Sequence, residues 1–492
     1  MRNSDHEQLV LASDRGPVQF TESLTLVRRP GSVTSLLDRL ARAKGRQTTW
    51  IAPSTAEGDR RAVPAGLVDQ IPDTLGYDFR PVPVDKQQYD GYYDDIGIRL
   101  LWPVWHGITD EMPPMYPAVR PLDWMAPYSS INWTIADKIA SAAAPNAIAA
   151  VQDYQLMLVP QMLHVRRPDM RIIHFTHTPF PTSEALFSLP LPIVKALVEG
   201  MLGADLLGFQ RHLWASRFLE CCARLGATVD HRDGRIRHHG HQTWVRCYPT
   251  PLDVVDLRSR SSTPGAQRWA ARIRGDNRRQ IIVRVDRLDP AKNALRGFLA
   301  YERLLDSDPE LATRVRFVAC LMPSRERIGD YRSYADSVWS TVNRISTRYP
   351  GSITVFHGDD HERALGALSS YDVLLVNAVA DGLNIVALEG PTANHRDGAV
   401  VLSTGAGASD VLKHVISLTD PYDVDATADA LRKAISLPLS RRQEMATGLR
   451  DDIADLGRCD WMDQQIADVA AARHGRSSPP GRQRDAGAGR RR

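Results

Sequence analysis

Long hydrophobic runs are absent from this chain of 492 residues. No uncharged apolar stretch approaches the roughly 18 residues that a membrane-spanning helix needs. The segment Met1 to Glu7 is polar and lacks the apolar stretch of a secretory signal peptide. We therefore expect a cytoplasmic protein that has no membrane partner.

Cysteine is scarce, with five residues in the chain and none of them in a Cys-x-x-Cys pair. This spacing indicates free thiols in a reducing compartment rather than a disulfide framework. Histidine, cysteine and aspartate do not cluster at the spacings typical of metal ligands, and no acidic pair suits a magnesium-nucleotide complex. The sequence therefore predicts neither a metal site nor a cofactor.

The formal net charge of +3 comes from one end of the chain, where Arg473 to Arg492 include seven arginines and one aspartate. The run Ser477 to Gly481 is a Ser-Ser-Pro-Pro-Gly sequence, and such a composition buries too little apolar surface to offset the entropy of ordering. Residues 473–492 are predicted to form a disordered basic tail. The remainder has no basic stripe with interleaved aromatic residues, so we expect no nucleic-acid partner.

The composition of the chain, at 43% hydrophobic and 24% charged residues, is that of a soluble globular protein, and its length favours two domains. Short runs rich in Val, Ile and Leu alternate with helical patterns, which is typical of βα units around a parallel sheet. Strands are predicted at Gln8 to Ala12, Thr48 to Ala52, Ile148 to Gln152, Ile172 to Thr176, Asp205 to Phe209, Gln280 to Val285, Val315 to Leu321, Ile353 to His357, Val373 to Asn377, Ala399 to Ser403 and Val415 to Leu418. Helices are predicted at Val33 to Ala43, His212 to Leu225, Ala294 to Leu305, Gly329 to Tyr349, Glu362 to Ser370, Asp425 to Ser436 and Met462 to Ala472.

A proline-marked segment, Tyr248 to Asp253, separates two such sets of βα units. It predicts an N-terminal domain over residues 1–250 and a C-terminal domain over residues 251–458, followed by a helix within residues 459–472. The fold class is α/β, with two Rossmann-like doubly wound domains. Because many functions use this architecture, the functional argument depends on the residues of the site.

Two elements of the second half carry phosphate-binding chemistry. Val285 to Lys292 places Arg287 and Lys292 in the loop after a strand, where open α/β sheets bind ligands. Cations fixed there stabilise the negative charge that develops on a departing nucleotide diphosphate. Asp381 to Glu389 also follows an apolar strand and opens a helix, whose first amides suit a phosphate group.

At these residues the chain resembles the retaining trehalose-6-phosphate synthase family, whose GT-B fold has two Rossmann-like domains facing across a cleft. Nine motifs match in collinear order and together span nearly the whole chain. They are Ser13 to Val18, Tyr92-Tyr93, Leu101 to Pro103, Gln152 to Leu158, His177 to Pro181, Gly203 to Phe209, Val285 to Lys292, Pro323 to Glu326 and Asp381 to Glu389.

The resemblance implies that Arg287 and Lys292 bind the donor pyrophosphate, that Glu389 holds the ribose, and that Asp381 and His177 hold hydroxyl groups of the donor sugar. The implied donor-binding residues are Gly31, Arg287, Lys292, Asp381, Gly382, Leu383, Asn384, Ile385, Val386 and Glu389. The implied catalytic residues are His177, Asp153, Arg287 and Lys292. No metal is implied, since Arg287, Lys292 and the helix amides would stabilise the charge that develops on the leaving group, and no protein nucleophile is needed, since the leaving phosphate can accept the proton of the incoming hydroxyl.

On the acceptor side, the resemblance assigns the 6-phosphate to Arg15, Tyr93 and Arg325. Trp102, Asp153 and Tyr154 match the positions that shape the pocket of the acceptor sugar. Two guanidinium groups suit a phosphate dianion. The implied partners are therefore UDP- or GDP-glucose and glucose-6-phosphate, and the implied product is trehalose-6-phosphate.

Several positions depart from the family pattern: Asp14, Pro30, Gln152, Gln210, Pro251 and Leu388. Gln152 and Gln210 replace histidines, and Pro30 replaces the first glycine of a Gly-Gly loop. The segment Glu389 to Gly398 also resembles an actinobacterial branch that includes validoxylamine-7′-phosphate synthases. These features leave two alternatives open, a pseudo-glycosyltransferase that uses a cyclitol or polyol phosphate acceptor and a catalytically silent sugar-nucleotide sensor.

A third alternative is a nicotinamide-dependent oxidoreductase, because two Rossmann-like sheets are expected. It is disfavoured, since no Gly-x-Gly-x-x-Gly follows an early strand. The base of the donor and the oligomeric state stay open, with a homo-oligomer among the alternatives.

Overall fold

A computed structural model of the protein describes residues 7–29, 31–114, 125–275, 279–457 and 460–473. Pro30 and Cys459 lie outside the described residues, and so does the predicted tail from His474 onward. Within the described ranges no helix is both long and apolar enough to cross a membrane.

The first half of the chain contributes eleven strands. They are β1 (Leu9–Ala12), β2 (Val18–Phe20), β3 (Leu26–Arg28), β4 (Thr48–Ser54), β5 (Asp78–Pro83), β6 (Ile148–Gln152), β7 (Arg171–Thr176), β8 (Leu206–Phe209), β9 (Thr228–Asp230), β10 (Arg235–His238) and β11 (His241–Cys247). Strands β2 and β3 form a separate hairpin, and the others form a nine-stranded sheet in the order β5-β4-β1-β6-β7-β8-β11-β10-β9. The sheet is parallel from β5 to β11 and antiparallel from β11 to β9.

The second half contributes a six-stranded parallel sheet in the order β14-β13-β12-β15-β16-β17. Its strands are β12 (Gln280–Arg287), β13 (Val315–Met322), β14 (Ile353–His357), β15 (Val373–Val376), β16 (Ala399–Ser403) and β17 (Ile416–Leu418). The order of strands reverses direction beside β12, and in the first sheet beside β1. Ligands of doubly wound sheets bind at such switch points, beyond the carboxyl ends of the strands.

Helices cover both sheets. They are α1 (Ser32–Lys44), α2 (Glu57–Ala62), α3 (Ile71–Leu75), α4 (Lys86–Asp90), α5 (Trp102–His106), α6 (Ala126–Ala142), α7 (Val159–Arg166), α8 (Ser183–Leu186), α9 (Leu191–Met201), α10 (His212–Arg224), α11 (Val254–Ser261), α12 (Pro264–Arg274), α13 (Ala294–Ser307), α14 (Leu311–Arg314), α15 (Gly329–Arg348), α16 (His361–Ser370), α17 (Val386–Ala393), α18 (Val424–Ile435), α19 (Leu439–Leu456) and α20 (Trp461–Arg473). A π-helix over Gly91–Leu101 joins α4 to α5.

Each sheet is buried on both faces because its strands are apolar on both faces. In β1, Val10 lies in the core on one side of the first sheet and Leu11 lies in the core on the other side. In β12, Val283 and Ile282 divide in the same way between the two cores of the second domain. This follows from the alternation of side chains along a strand, and it confirms the prediction of two doubly wound α/β domains.

The chain returns to the first domain at its last described helix. Trp461, Met462 and Val469 of α20 are buried in a core cluster of the N-terminal sheet. The Trp461 indole donates to the Tyr248 carbonyl at 3.0 Å, and the Tyr248 hydroxyl donates to Asp468 at 2.6 Å. Helix α20 therefore ties the second domain back to the first.

Candidate functional site

The two sheets bring their carboxyl ends toward each other, and side chains from both domains meet there. Trp102, at the start of α5, donates from its indole nitrogen to Asp289 of the second domain at 3.3 Å. The Arg325 guanidinium lies 4.2 Å from the centre of the Trp102 ring. Gly382 packs so closely on the first domain that a Cβ there would lie 1.7 Å from the His177 carbonyl oxygen. Predicted residues from both halves, among them Trp102, His177, Arg325 and Gly382, therefore meet at one interface.

Arg15 follows strand β1 and faces aromatic residues of the first domain. Its guanidinium donates to the Tyr93 hydroxyl at 3.0 Å and lies 5.4 Å from the centre of that ring. The Tyr93 ring stacks on Tyr89 at 5.7 Å, and the Tyr89 hydroxyl donates to Asp14 at 3.1 Å. The side chain of Arg15 is 54% exposed, so its charge can still reach a ligand.

The segment that carries Tyr93 and leads to Trp102 is the π-helix Gly91–Leu101. Such helices are rare and occur frequently at functional sites. Here Tyr93 and Trp102 reach the interface from the same segment. This geometry was not predicted from the sequence, since no pattern in the sequence marks a π-helix.

Arg325 of the second domain packs on Trp102 of the first and is held by residues of its own domain. It donates to Asp289 and to the Tyr331 hydroxyl, each at 2.6 Å. Burial by itself would lower the pKa of Arg325, but Tyr331 and Asp289 beside it raise that pKa well above the usual value. Burial by itself would raise the pKa of Asp289, but Arg325 and Arg287 outweigh it, so this carboxyl has a lowered pKa and stays ionised.

Polar atoms without partners surround this cation. Three buried atoms here make no hydrogen bond with any described residue: the Tyr154 hydroxyl, the Ser324 hydroxyl and Arg325 Nε. The guanidinium of Arg325 lies close enough to Arg15 that its positive charge opposes the rise in the pKa of Arg15 caused chiefly by Tyr93. Buried polar groups are normally satisfied, so these unused donors next to two guanidinium groups are typical of a place that binds an anionic, hydroxyl-bearing ligand.

The two cations of the segment Val285 to Lys292, Arg287 and Lys292, differ in their bonding. Lys292 forms an ion pair with Asp381, whose carboxylate also accepts from the backbone and side-chain nitrogens of Asn384 at 3.2 and 3.1 Å. Arg287 forms no ion pair and no side-chain hydrogen bond with any described residue, and its guanidinium lies 6.0 Å from the centre of the Trp102 ring. At this edge of the sheet, Arg287 is therefore not paired with any described residue, whereas Lys292 is paired with the carboxylate of Asp381.

Helix α17 points its N-terminus into the same region. Its first intrahelical donors are Ala387, which donates to the Asn384 carbonyl, and Leu388, which donates to the Ile385 carbonyl. The backbone N–H groups of Ile385 and Val386 precede these donors, so they are available to an anion at the positive end of the helix dipole.

Glu389 lies in the first turn of α17, half-buried and without an ion-pair partner among the described residues. Burial raises the pKa of the Glu389 carboxyl to about 7, and the positive charge of Arg260 opposes this rise only in part. A buried carboxylate is stabilised when it accepts hydrogen bonds. The arrangement suits a ligand that donates from hydroxyl groups.

Asp153 lies after strand β6 in a left-handed backbone conformation, with φ of 67°. One of its carboxylate oxygens, Oδ1, accepts from the backbone of His177 at 3.1 Å and from the Thr178 hydroxyl at 3.1 Å. Burial raises the pKa of Asp153 to about 6. Non-glycine residues adopt this conformation rarely, and mostly where the surroundings over-determine them, as in binding sites.

His177 lies between the two glutamines that depart from the family pattern. Gln210 accepts from the Thr250 backbone nitrogen at 3.0 Å through Oε1, so its amide nitrogen is the group that donates to His177 Nδ1 at 3.4 Å. His177 Nδ1 is therefore the acceptor, and Nε2 carries the proton that is donated to Gln152 Oε1 at 2.9 Å. Burial lowers the pKa of His177 to about 3, so the ring is neutral with one defined tautomer.

Three further contacts hold the domains together around this region. Arg211 binds Asp410 through two hydrogen bonds of 2.6 and 3.1 Å. The Trp214 indole donates to the Gly382 carbonyl at 3.3 Å. Arg296 donates to Glu111 at 2.7 Å. These bonds close the two domains on each other.

Not every predicted site residue joins this interface. Gly31 is exposed at the N-terminus of α1, where it accepts from the Ser35 backbone, and no described hydrogen bond links it to the second domain. Leu383 is buried in a core of the second domain and provides packing. The remaining predicted residues lie at the ends of the strands or helices described above.

Three residues of the interface were not predicted as site residues. Asp289 anchors Arg325 and Trp102 together, Tyr331 of α15 donates to Asp289 at 3.4 Å, and the His106 ring stacks on Trp102 at 3.8 Å. Burial lowers the pKa of His106 to about 4. Asp289 lies inside the motif Val285 to Lys292 and could have been found there, whereas Tyr331 and His106 have no distinguishing pattern.

The chain is similar to known proteins over most of its length. The profile of glycosyltransferase family 20 matches residues 7–471. The trehalose-6-phosphate synthase of Mycolicibacterium vanbaalenii is 30% identical over 473 residues, covering 90% of this chain and 92% of the relative.

Solved structures share the fold as well. A trehalose-6-phosphate structure from E. coli bound with UDP-2-fluoro glucose superimposes with a TM-score of 0.80 at 25% identity, covering 94% of this chain and 98% of that chain. An alpha,alpha-trehalose-phosphate synthase from Burkholderia xenovorans in complex with glucose-6-phosphate superimposes with a TM-score of 0.80 at 23% identity, covering 94% of this chain and 100% of that chain.

Proposed function

Because this chain belongs to glycosyltransferase family 20, we propose that it transfers glucose from a nucleotide-glucose donor to glucose-6-phosphate and gives trehalose-6-phosphate. The observation that carries the proposal is the pair of guanidinium groups, Arg15 from one domain and Arg325 from the other, beside unused buried donors. The mycobacterial relative and the E. coli structure bound with UDP-2-fluoro glucose support the same reaction.

In this proposal the donor pyrophosphate binds Arg287, Lys292 and the first amides of helix α17. Lys292 now bonds to Asp381, so donor binding exchanges that carboxylate for phosphate oxygens. Asp381 then becomes available to hydroxyl groups of the donor sugar. Glu389, with its carboxyl raised to a pKa of about 7, accepts from the ribose hydroxyls. Once the donor is bound, Arg287 and Lys292 hold positive charge beside the leaving group before the reaction begins, which is the condition for stabilising that group efficiently.

The acceptor phosphate lies between Arg15 and Arg325 in this proposal, and Tyr93 completes its binding. The acceptor sugar contacts Trp102 and the carboxylate of Asp153, whose Oδ1 is oriented by the His177 backbone and the Thr178 hydroxyl. Asp289 holds Arg325 in place by accepting a hydrogen bond of 2.6 Å from its guanidinium. The distance between phosphate anchor and donor cations thus fixes which hydroxyl of the acceptor faces the reacting carbon.

Transfer requires that the bond from the sugar carbon to the phosphate oxygen breaks as the bond to the acceptor oxygen forms. The departing phosphate oxygen takes the proton of the acceptor hydroxyl, and Arg287 and Lys292 stabilise the charge that remains. The acceptor attacks on the face from which the nucleotide leaves, which retains the configuration. Positioning both sugars in a closed cleft contributes the rest, since oriented reactants can gain about 7–11 kcal/mol in activation free energy.

A donor-by-acceptor matrix tests the proposal. UDP-, GDP- and ADP-glucose are each combined with glucose-6-phosphate, glucose, and cyclitol or polyol phosphates, and both nucleotide release and product mass are measured. We expect release with glucose-6-phosphate and a product of the mass of trehalose-6-phosphate. Turnover only with a cyclitol or polyol phosphate would replace the proposed acceptor, and donor binding without release for any acceptor would indicate a sensor.

Variants of the donor cations provide the internal check. Arg287→Ala and Lys292→Ala are expected to lower kcat by about 100-fold or more, since each removes a charge at the leaving group. Arg303→Ala is the matched control, because Arg303 is an exposed arginine of the second domain that pairs, among the described residues, with Asp425 alone. Equal activity of all three variants would contradict the assignment of the donor site.

A further inference from the structure

We propose that Glu199, His238 and His239 form a binding site for a divalent transition-metal ion with the preferences of Zn²⁺. The site lies at the antiparallel edge of the first sheet, on β10 and helix α9, away from the switch point beside β1. It does not depend on the proposed function.

The β10–β11 turn brings the two imidazoles together. Strand β10 ends at His238, strand β11 begins at His241, and these two residues pair directly, so His239 and Gly240 form a two-residue turn. Both turn residues have positive φ, 47° and 82°. Consecutive side chains on a strand point to opposite faces, but this turn places the ring of His239 4.0 Å from that of His238.

Helix α9 supplies the third group. Glu199 lies near the end of this helix, and the candidate ligand atoms of Glu199, His238 and His239 are all within 4.8 Å of one another. His238 Nε2 is 3.6 Å from Glu199 Oε1, which is too long for a hydrogen bond. Ligands of a tetrahedral ion at about 2.0–2.2 Å from the metal are about 3.4 Å apart, so the spacing fits two ligands of one ion.

A buried atom without a partner points to the same place. His238 Nε2 is buried and makes no hydrogen bond with any described residue, and the side chain of His238 is only 16% exposed. Buried ring nitrogens are normally satisfied by a hydrogen bond or a metal. An ion between His238 and Glu199 would satisfy this nitrogen without moving the backbone.

The ligand set selects the class of metal. Two imidazole nitrogens and one carboxylate suit Zn²⁺ and its neighbours, whereas Mg²⁺ and Ca²⁺ prefer oxygen ligands alone. Three protein ligands leave a fourth position for water. Because Glu199 is on α9 and the histidines are on the hairpin, the ion would crosslink the β10–β11 hairpin to the C-terminal end of α9.

This site could not be predicted from the spacing of residues in the sequence. His238 and His239 are adjacent, and Glu199 is far away along the chain, so neither resembles a metal motif. The three residues come together only because α9 and the β10–β11 hairpin are neighbours in the fold.

Titration of Zn²⁺ into the full chain, stripped of metal with a chelator and dialysed, tests the proposal. Isothermal titration calorimetry and competition with a chromophoric chelator are expected to give one ion per chain. His238→Ala and Glu199→Gln should each weaken binding at least tenfold. Co²⁺ bound at the site should show the visible absorption of a four-coordinate ion, and this absorption should disappear in both variants.

His231→Ala is the matched control, since His231 is an exposed histidine just before the same hairpin. It should bind Zn²⁺ as the unchanged chain does. Equal loss in the control and in His238→Ala, or no binding at one ion per chain, would overturn the proposal by showing nonspecific surface binding. Glu199 is 43% exposed, so Glu199→Gln keeps the test decisive if His238→Ala folds poorly.

Discussion

Replacement of Arg15 by alanine separates recognition of the acceptor phosphate from stability of the fold. The side chain is 54% exposed, donates one hydrogen bond to Tyr93 and lies 3.8 Å from Asp14. Exposed pairs of this kind contribute about 0–1 kcal/mol, so the free energy of unfolding should change little. A charged hydrogen bond to a phosphate contributes about 1.5–3 kcal/mol. Its loss should therefore raise the KM for glucose-6-phosphate by roughly 10- to 150-fold.

The assay measures nucleotide release as a function of acceptor concentration, for glucose-6-phosphate and for unphosphorylated glucose. The variant should lose its preference for the phosphorylated acceptor, while its KM for the donor and its melting temperature stay close to those of the unchanged chain. Arg46→Ala is the matched control, because Arg46 is an exposed arginine of the same domain, paired with Asp73 at 2.8 Å. If Arg15→Ala kept the original preference, the position proposed for the acceptor phosphate would be wrong.

Three more predictions concern protonation and closure. Burial raises the pKa of Glu389 to about 7, and a ribose that donates hydrogen bonds favours the ionised form of this carboxyl. Donor affinity, measured by calorimetry at several pH values, should therefore rise as the pH increases from 6 to 8. Glu389→Gln should weaken donor binding and remove this pH dependence. Because burial lowers the pKa of His177 to about 3, its ring should show no proton-NMR titration between pH 5 and 8. Gln210→Glu places a carboxylate beside Nδ1 of His177 and should bring the titration of the ring into that range. Titration of His177 in the unchanged chain would contradict the tautomer derived above. Arg211→Ala removes two charged hydrogen bonds to Asp410 and one to the Thr404 carbonyl, and such bonds contribute about 1.5–3 kcal/mol each. The closed arrangement should therefore be destabilised, which X-ray scattering would detect as a larger radius of gyration. An unchanged radius at matched donor saturation would show that Arg211 does not hold the domains closed.

The strands of the second domain could be predicted because each is a continuous apolar run. All six were found within two residues of their predicted bounds. Strand β5 was missed because it contains Pro81 and Pro83, residues that occur in strands mainly at sheet edges, and β5 is indeed an edge strand. Strand β11 was missed because polar residues such as His241 and Gln242 interrupt its apolar pattern.

The site was predictable in its parts. Motifs after apolar strands identified Arg287, Lys292 and Asp381, because the carboxyl ends of parallel strands are where such sheets bind ligands. The partners of these residues were not predictable. Nothing in the spacing indicates that Lys292 bonds to Asp381 or that Gln152 and Gln210 share the two nitrogens of His177.

The sequence by itself determined the fold class, the two sheets and the residue types available for phosphate chemistry, because local apolar periodicity and motif order depend only on neighbours along the chain. Only the tertiary structure decided which charges meet. Arg325 lies beside Trp102, and His238 lies beside Glu199, although each pair is far apart in the sequence. The relative placement of helices and domains depends on packing between surfaces, and no single segment of the chain encodes that packing.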